Sequence, residues 1–446
     1  MRKIRIWIQD TMNSFRSILL GFFLLIMAGA ALLSLPAASA SHEATPFLDA
    51  LFTSASASCV TGLVVQNTAT HWSSFGKCVI LLLIQAGGLG IITVAVATLI
   101  VTGKRIGILQ RTTMMDAVSA PTLGGIIRFT LFILKVTLIA ETLGALLLFP
   151  SFYRDFGFSR AFMFSVFHSV SAFCNAGFDL LGIREAYSSL TAYASDPFVT
   201  GVIMTLIVTG GIGFLTWQDL FRSGFRFQRL RLQTKIILAS TAVLLLVPAV
   251  YFFLFEFADH PMKERVLMSL FASVTPRTAG FNTCDYGTMS ESGKLITILL
   301  MLIGGAPGST AGGIKVTTVF LLAAASSACM RRADDVNCFG RRIEADQIRN
   351  AFTILILYGF LLLTGAIFVS DIEGLPILSC LFECASALGT VGLTTGITPA
   401  LGSASRVLLI AFMFFGRVGA LTFAYASVSL HKYTNKRYPA ERVAVS

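Results

Sequence analysis

Four glycine turns are the positions in this chain with the most evident chemistry to offer: Val60-Thr61-Gly62, Asn175-Ala176-Gly177, Thr278-Ala279-Gly280 and Thr390-Val391-Gly392. Each follows a short, mildly apolar segment, and none contains a carboxylate. A glycine there lets the backbone adopt dihedrals that a side chain would forbid, so that carbonyls can turn inward. Rings of such carbonyls can replace the water shell of a cation. Neutral carbonyls, helped by the negative C-terminal ends of short helices, suit a monovalent ion, whereas a divalent one would want carboxylates. One such turn would be ordinary; four in register are not.

A second stretch, GGAPGSTAGGIK from Gly304 to Lys315, interrupts an apolar run between LITILLMLI and VTTVFLLAAASSA. A phosphate-binding loop would need Lys directly after its last glycine and a preceding strand; here Ile314 separates Gly313 from Lys315. A simple kink needs one proline or glycine, yet this run removes helical hydrogen bonding over about two turns. Freed backbone at membrane depth has to line a cavity, here expected below the third turn. Gly304, Gly305, Gly308, Ser309, Thr310, Ala311, Gly312, Gly313 and Lys315 are the candidate residues of that loop. Arg417, inside the apolar FGRVGALT, joins them, because an arginine within a membrane segment is costly enough to be a functional candidate.

The elements that must position these residues follow from composition. The 446 residues are 55% hydrophobic and 13% charged, and apolar runs near the spanning length of ~20 residues recur throughout. So few charges could not cover the surface of a soluble protein of this hydrophobicity. The first run, Ile18 to Leu35, follows Arg2, Lys3, Arg5 and Arg16 but lacks a convincing cleavage site, so it reads as a first membrane helix rather than a signal peptide. The net charge of +11 is concentrated in five segments: the N-terminus, 102–128, 219–235, 331–349 and 430–446 hold 22 of the 34 Lys and Arg. Those segments mark the cytoplasmic side, which places both termini in the cytoplasm of a multi-pass plasma-membrane protein. No basic run is interleaved with aromatics on one face, which disfavours nucleic acid as a partner and leaves membrane lipid. The eight cysteines and five histidines form no metal-ligand pattern, and no paired His, Asp or Ser-His constellation suggests an enzyme.

Between the basic segments one pattern recurs: an apolar helix, a short segment ending in a glycine turn, then a second apolar helix. The units are 1–118, 119–228, 229–346 and 347–446. Their turn glycines are 115, 103 and 112 residues apart, and a second anchor follows in GGLGIIT, GGIGFLT, GGAPGST and GRVGALT. The closing helices of the first, second and fourth units (79–101, 199–216 and 407–428) read as continuous, and only the third as broken. Each short segment has too few residues to cross ~30 Å of hydrocarbon, so it enters and returns on the outer face. The fold class expected is an all-α polytopic membrane protein of four helix–pore loop–helix repeats around a pseudo-fourfold pore.

The motifs ASCVTGL, SAFCNAGF, TPRTAGF and ALGTVGL, with GGAPGSTAGGIK and FGRVGALT, resemble the Trk/Ktr/HKT superfamily of potassium transporters, and most of all its bacterial Ktr-type membrane subunits. That resemblance covers nearly the whole chain. It implies one pore whose four turn glycines, Gly62, Gly177, Gly280 and Gly392, set potassium preference; a serine at the first position goes with sodium permeation in some plant members. It implies that the loop Gly304–Lys315 obstructs the pore and moves to open it, with the charge of Arg417 beside it. It further implies a homodimer seated on a separate cytosolic ring of nucleotide-binding RCK subunits. The resemblance implies potassium as the transported ion, no organic cofactor is expected in this chain, and sodium as activator, as coupling ion or as neither stays open. Cys174 departs from the polar Asn of the family pattern and bears on fine selectivity. The main alternative is an ion-coupled secondary symporter, which calls for inverted repeats where these four units run in one sense. Arg277 is expected to brace the third turn, and Lys135, Glu141, His168 and Glu383 to be structural or interfacial.

Overall fold

The computed structural model describes residues 14–102, 112–115, 125–183, 185–224 and 226–427, with Pro439 and Glu441. Arg2, Lys3 and Arg5, most of the basic segment at 102–128 and that at 430–446 lie outside the described residues. In chain order the described part begins with α1 (Ser14–Leu33), α2 (Phe47–Ser58) and the pair α3 (Ser74–Leu89) and α4 (Ile91–Val101). Next come α5 (Ile126–Phe156), α6 (Phe158–Phe173), α7 (Pro197–Gly211) and α8 (Phe214–Ser223). Then follow α9 (Leu232–Tyr251), prolonged by a π-helical turn at Phe252–Glu256, α10 (Met262–Val274), α11 (Glu291–Leu302) and α12 (Val316–Met330). The last succession is α13 (Ala345–Glu373), α14 (Ile377–Gly389), α15 (Ser403–Val418) and α16 (Ala420–Ser427). A two-residue antiparallel ribbon, β1 (Asn337–Cys338) with β2 (Arg341–Arg342), sits in the connection before α13; with isolated bridges between Ser39 and Trp72 and between Ile303 and Ile314 it is the extended pairing found among the described residues.

The first helix of each succession is long and apolar enough to span a membrane. Only 28–33% of its apolar window is buried. The remainder presents residues such as Leu138, Leu146, Val247, Ile356 and Phe360, exposed as a lipid-facing surface requires. The second helix of each succession differs in length and burial. It has 12, 16, 13 and 13 residues in turn, roughly 18–24 Å at 1.5 Å per residue, and stops short of a full crossing. Pro46, Gly157, Pro261 and Pro376 start these helices, and their C-terminal turns are buried on all sides.

The closing helices correct the sequence reading: all four are broken, not the third alone. α3 and α4 meet at 95° and α7 and α8 at 91°, and α15 ends at a further break before α16. The breaks fall on Gly90, Gly213 and Gly419, with φ of 84°, 92° and 91°, conformations that end a right-handed helix. Three residues earlier, Gly87, Gly210 and Gly416 lie so close to the carbonyls of Ser58, Phe173 and Leu388 that no side chain would fit. The repeated glycine pairs therefore serve two ends at once: the first allows the short helix of the same unit to seat, and the second turns the chain.

The first and last successions are joined by a partly buried ion pair, Arg406 Nη1 to Asp49 Oδ1 at 2.6 Å, between α15 and α2. Gln66 Nε2 also donates to Asp49 Oδ2 (2.8 Å), and Arg406 donates to the carbonyls of Leu401 and Pro399 at 2.8 and 3.0 Å.

Candidate functional site

The four glycine turns meet. A methyl group placed on Gly62 would stand 3.0 Å from the α-carbon of Gly177; one on Gly177, 2.9 Å from Gly280; one on Gly280, 3.2 Å from Gly392; and one on Gly392, 2.9 Å from Gly62. The contacts thus run once round a closed ring in chain order. Each glycine has positive φ (95°, 68°, 79° and 95°), and so has the residue two places before it: Val60, Asn175, Thr278 and Thr390 at 58°, 58°, 69° and 52°. Thr61, Ala176, Ala279 and Val391 between them do not. In an extended strand carbonyls alternate sides, and reversing φ at every second residue brings them toward the same side. Holding non-glycine residues there costs about 1–3 kcal/mol each, a strain that concentrates at functional sites.

The carbonyl oxygens of Val60, Thr61, Asn175, Ala176, Thr278, Ala279, Thr390 and Val391 receive no hydrogen bond from any described residue, although all eight residues are buried. Buried backbone carbonyls are ordinarily paired. Eight left without a donor at the ring of turns form a set of oxygen ligands that carry partial negative charge and no net charge. No group of three or more His, Cys, Asp or Glu among the described residues is placed to hold a metal ion, so backbone oxygen is what the site offers to a cation.

The turns are fixed from behind by hydroxyls that the sequence reading missed. Ser56 and Ser386, six residues before their glycines, accept from the N–H groups of Gly62 and Gly392 at 3.0 Å each. Ser171, at the same offset in the second unit, donates to Phe178 O at 2.7 Å, and Thr275 donates to Phe281 O. Nine residues before the glycine, in two of the four units, stands an ionisable side chain: His168 and Glu383. His168 Nε2 accepts from Leu180 N at 3.3 Å while Nδ1 meets Phe164 O at 2.7 Å. Glu383 Oε1 accepts from the Thr394 hydroxyl (2.7 Å), Thr395 N (2.9 Å) and the Thr395 hydroxyl (3.2 Å), and Oε2 from the Thr398 hydroxyl at 2.6 Å. Both grip the segment that leaves the ring. The common offset from the turn glycine was the available signal. Arg277 reaches from the third turn to Thr241 of α9 at 3.4 Å, whereas Glu141 lies behind the second turn, 3.2 Å from Gln85 and 3.8 Å from Cys174. Lys135 is exposed and belongs to the outer surface.

The interrupted stretch lies against the second and fourth turns, where the sequence pointed to the third. Gly312 packs on the Thr390 side chain so closely that a methyl group would collide with it, and Gly313, at φ 65°, lies beside Gly389. The Thr310 hydroxyl donates to Phe173 O at 3.1 Å. The loop's backbone is held by its own ends and by the broken helices of the second and fourth units. Gly304 N donates to Ile314 O (2.8 Å), Ala306 N to Gly211 O (2.9 Å), Gly313 N to Gly416 O (3.3 Å) and Phe214 N to Gly308 O (3.0 Å). Gly305 sits against Gly211 O and the methyl of Ala311, and Ser309 Oγ donates to Ala306 O at 2.6 Å. Lys315 Nζ folds back onto Ala311 O at 2.7 Å. Arg417 donates to Thr310 O in the loop and to Gly87 O and Gly88 O, the last at 3.0 Å, at the end of α3. Beside the loop opens a cavity of ≈ 270 Å³ lined by Gly308, Ser309, Gly313, Lys315 and Arg417.

The TrkH family of cation transport proteins matches residues 10–436. The chain is 37% identical over 447 residues to the potassium/sodium uptake protein NtpJ of Enterococcus hirae, with 98% of each chain covered. It is 38% identical over 443 residues to the Ktr system potassium uptake protein B of Bacillus subtilis, covering 98% of this chain and 97% of that one. In fold it is similar to the crystal structure of the potassium transporter TrkH from Vibrio parahaemolyticus, with a TM-score of 0.73 at 20% identity over 93% of this chain and 84% of that one.

Proposed function

This chain belongs to the TrkH family of cation transport proteins, which are not enzymes, and from that premise we propose that it takes up potassium across the plasma membrane through the ring of glycine turns. The observation that carries the reading is the set of eight buried carbonyls without a donor, since a dehydrated monovalent cation is the partner that neutral oxygens of that number suit. The units 1–118, 119–228, 229–346 and 347–446 each contribute one turn, arranged as four helix–pore loop–helix repeats about a pseudo-fourfold pore. The loop Gly304–Lys315 is the gate: Gly312 abuts Thr390 directly, and Arg417 both latches the loop and puts a positive charge on the path.

Three relatives are named as Ktr system proteins, and we carry over a partner from that: a homodimer on a cytosolic ring of nucleotide-binding RCK subunits. The exposed Arg331, Arg332 and Arg341 around the β1–β2 ribbon offer it a basic surface, on the side to which we assign both termini. The Enterococcus relative is named for the uptake of both potassium and sodium, so the flux of each ion is to be measured separately. The test is flux into liposomes carrying the purified protein, driven by potassium or sodium alone, beside Gly62→Ser and a deletion of 311–313. Potassium flux without sodium, relaxed in selectivity by the serine and raised by the deletion, is the expected result. Flux that requires a second ion in every case would replace it with coupled symport.

A further inference from the structure

Two residues past each turn glycine stand Val64, Asp179, Asn282 and Thr394. All four line one cleft of ≈ 90 Å³ whose floor is the four glycines themselves. Among the described residues, Asp179 is the only charged side chain on its wall. Hydrogen bonding decides which atoms of the three polar side chains remain available. The Thr394 hydroxyl gives its proton to Glu383 and accepts from Gly396 N at 2.9 Å; the Thr398 hydroxyl, 3.1 Å away, gives its own proton to Glu383 at 2.6 Å, so an oxygen lone pair of Thr394 is left. Asn282 Nδ2 donates to Cys284 O at 3.2 Å, which leaves the amide oxygen. Asp179 Oδ1 accepts from Leu181 N at 2.9 Å, and among the described residues no Lys, Arg or His forms an ion pair with the carboxylate.

We infer that Asp179, with the amide oxygen of Asn282 and the hydroxyl of Thr394, forms an outer binding site for a partly hydrated monovalent cation that loads the ring. The inference rests on the ring being the cation path. A carboxylate on the wall of a narrow cleft favours a counter-charge, and where the described residues supply none, a cation arriving at the cleft does. One carboxylate among three neutral positions holds a monovalent ion without trapping a divalent one, which would want several. Burial pushes the Asp179 carboxyl up to about 6, so a proton competes for the same place as external pH falls. The other titratable groups facing this segment are Tyr187 on the cleft wall and His168 behind Leu180.

The full-length chain in liposomes, with initial potassium uptake measured against external potassium at about pH 7.5 and about pH 5.5, tests the site. The wild type should need more potassium for half-maximal uptake at the lower pH. Asp179→Asn should raise the half-saturating concentration roughly tenfold at the higher pH, abolish its pH dependence and leave the maximal rate within about twofold. Asp179→Glu and Tyr187→Phe should keep the pH response. Should Asp179→Asn fail to assemble, Asn282→Ala carries the test with an increase of about threefold. Half-saturation unchanged in the variants at both pH values overturns the outer site while leaving the transport reading intact. A wild type without any potassium flux overturns the transport reading and the site with it.

Discussion

Arg417 donates through one end of its guanidinium to the carbonyl of Thr310 in the interrupted loop, and through the other to carbonyls at the end of α3. One side chain from the fourth unit thus ties a segment of the third to the broken helix of the first. Hydrogen bonds from a charged donor contribute about 1.5–3 kcal/mol each, and losing ~1.4 kcal/mol changes an equilibrium tenfold. Arg417→Gln should therefore raise potassium flux through liposome-borne protein about tenfold or more, with the ratio of potassium to sodium flux little changed. A folded variant with flux at or below the wild-type level would show that Arg417 does not hold the loop shut.

The glycine ring predicts a different phenotype. Each glycine lacks room for a side chain because its neighbour's α-carbon and carbonyl occupy that space, and its positive φ penalises any side chain by roughly 1–2 kcal/mol more. Gly177→Ser and Gly392→Ser should displace the adjoining carbonyls of Ala279 and Thr61. Competitive uptake of the two ions is the appropriate measurement, and a sodium share that rises several-fold is the expected outcome. Selectivity equal to that of the wild type in both variants would detach the ring from ion choice.

The turns and the loop were legible because glycines needed for left-handed backbone or close approach leave a mark in the sequence that survives in any context. The breaks in three of the closing helices left the same kind of mark and were not read. Gly87 and Gly90, Gly210 and Gly213, and Gly416 and Gly419 share a spacing of three, but each pair sits inside an apolar run whose length alone suggested one straight helix. The hydroxyls at Ser56, Ser171 and Ser386 were equally regular, yet serine in a short helix carries no signal until the register to the turn is counted. Asp49 and Arg406 lie 357 residues apart, and nothing local to either marks the pairing. Such a contact follows from closure of the four units on each other, which only the assembled fold displays.

Glu383 offers a test of how the ring is held. Its two oxygens collect four donors from Thr394, Thr395 and Thr398, so replacing it strands donors that cost about 1–3 kcal/mol apiece when unpaired. Glu383→Gln keeps an acceptor for Thr395 N, and it should retain most potassium uptake. Glu383→Leu should lower the midpoint of thermal unfolding and let more sodium pass, because Thr394 and the descent from Gly392 lose their anchor. Identical stability and ion ratio in the two variants would mean that the segment holds itself.

The ion pair between Asp49 and Arg406 should act on assembly rather than on ion choice. Its side chains are only 11% and 19% exposed, and Arg406 is held by further bonds to Leu401 O and Pro399 O. Removing one member of such a pair leaves the other charge buried without a partner, at a cost of about 3–5 kcal/mol, whereas removing both is far milder. Asp49→Asn and Arg406→Met should each lower the unfolding midpoint measured in detergent, and the double variant should be destabilised by less than the two together. Potassium selectivity in whatever folded fraction remains should match the wild type, since neither side chain belongs to the glycine ring. Strictly additive losses would argue that the two residues stabilise their own helices separately, and that the junction between the first and fourth units is held by packing alone.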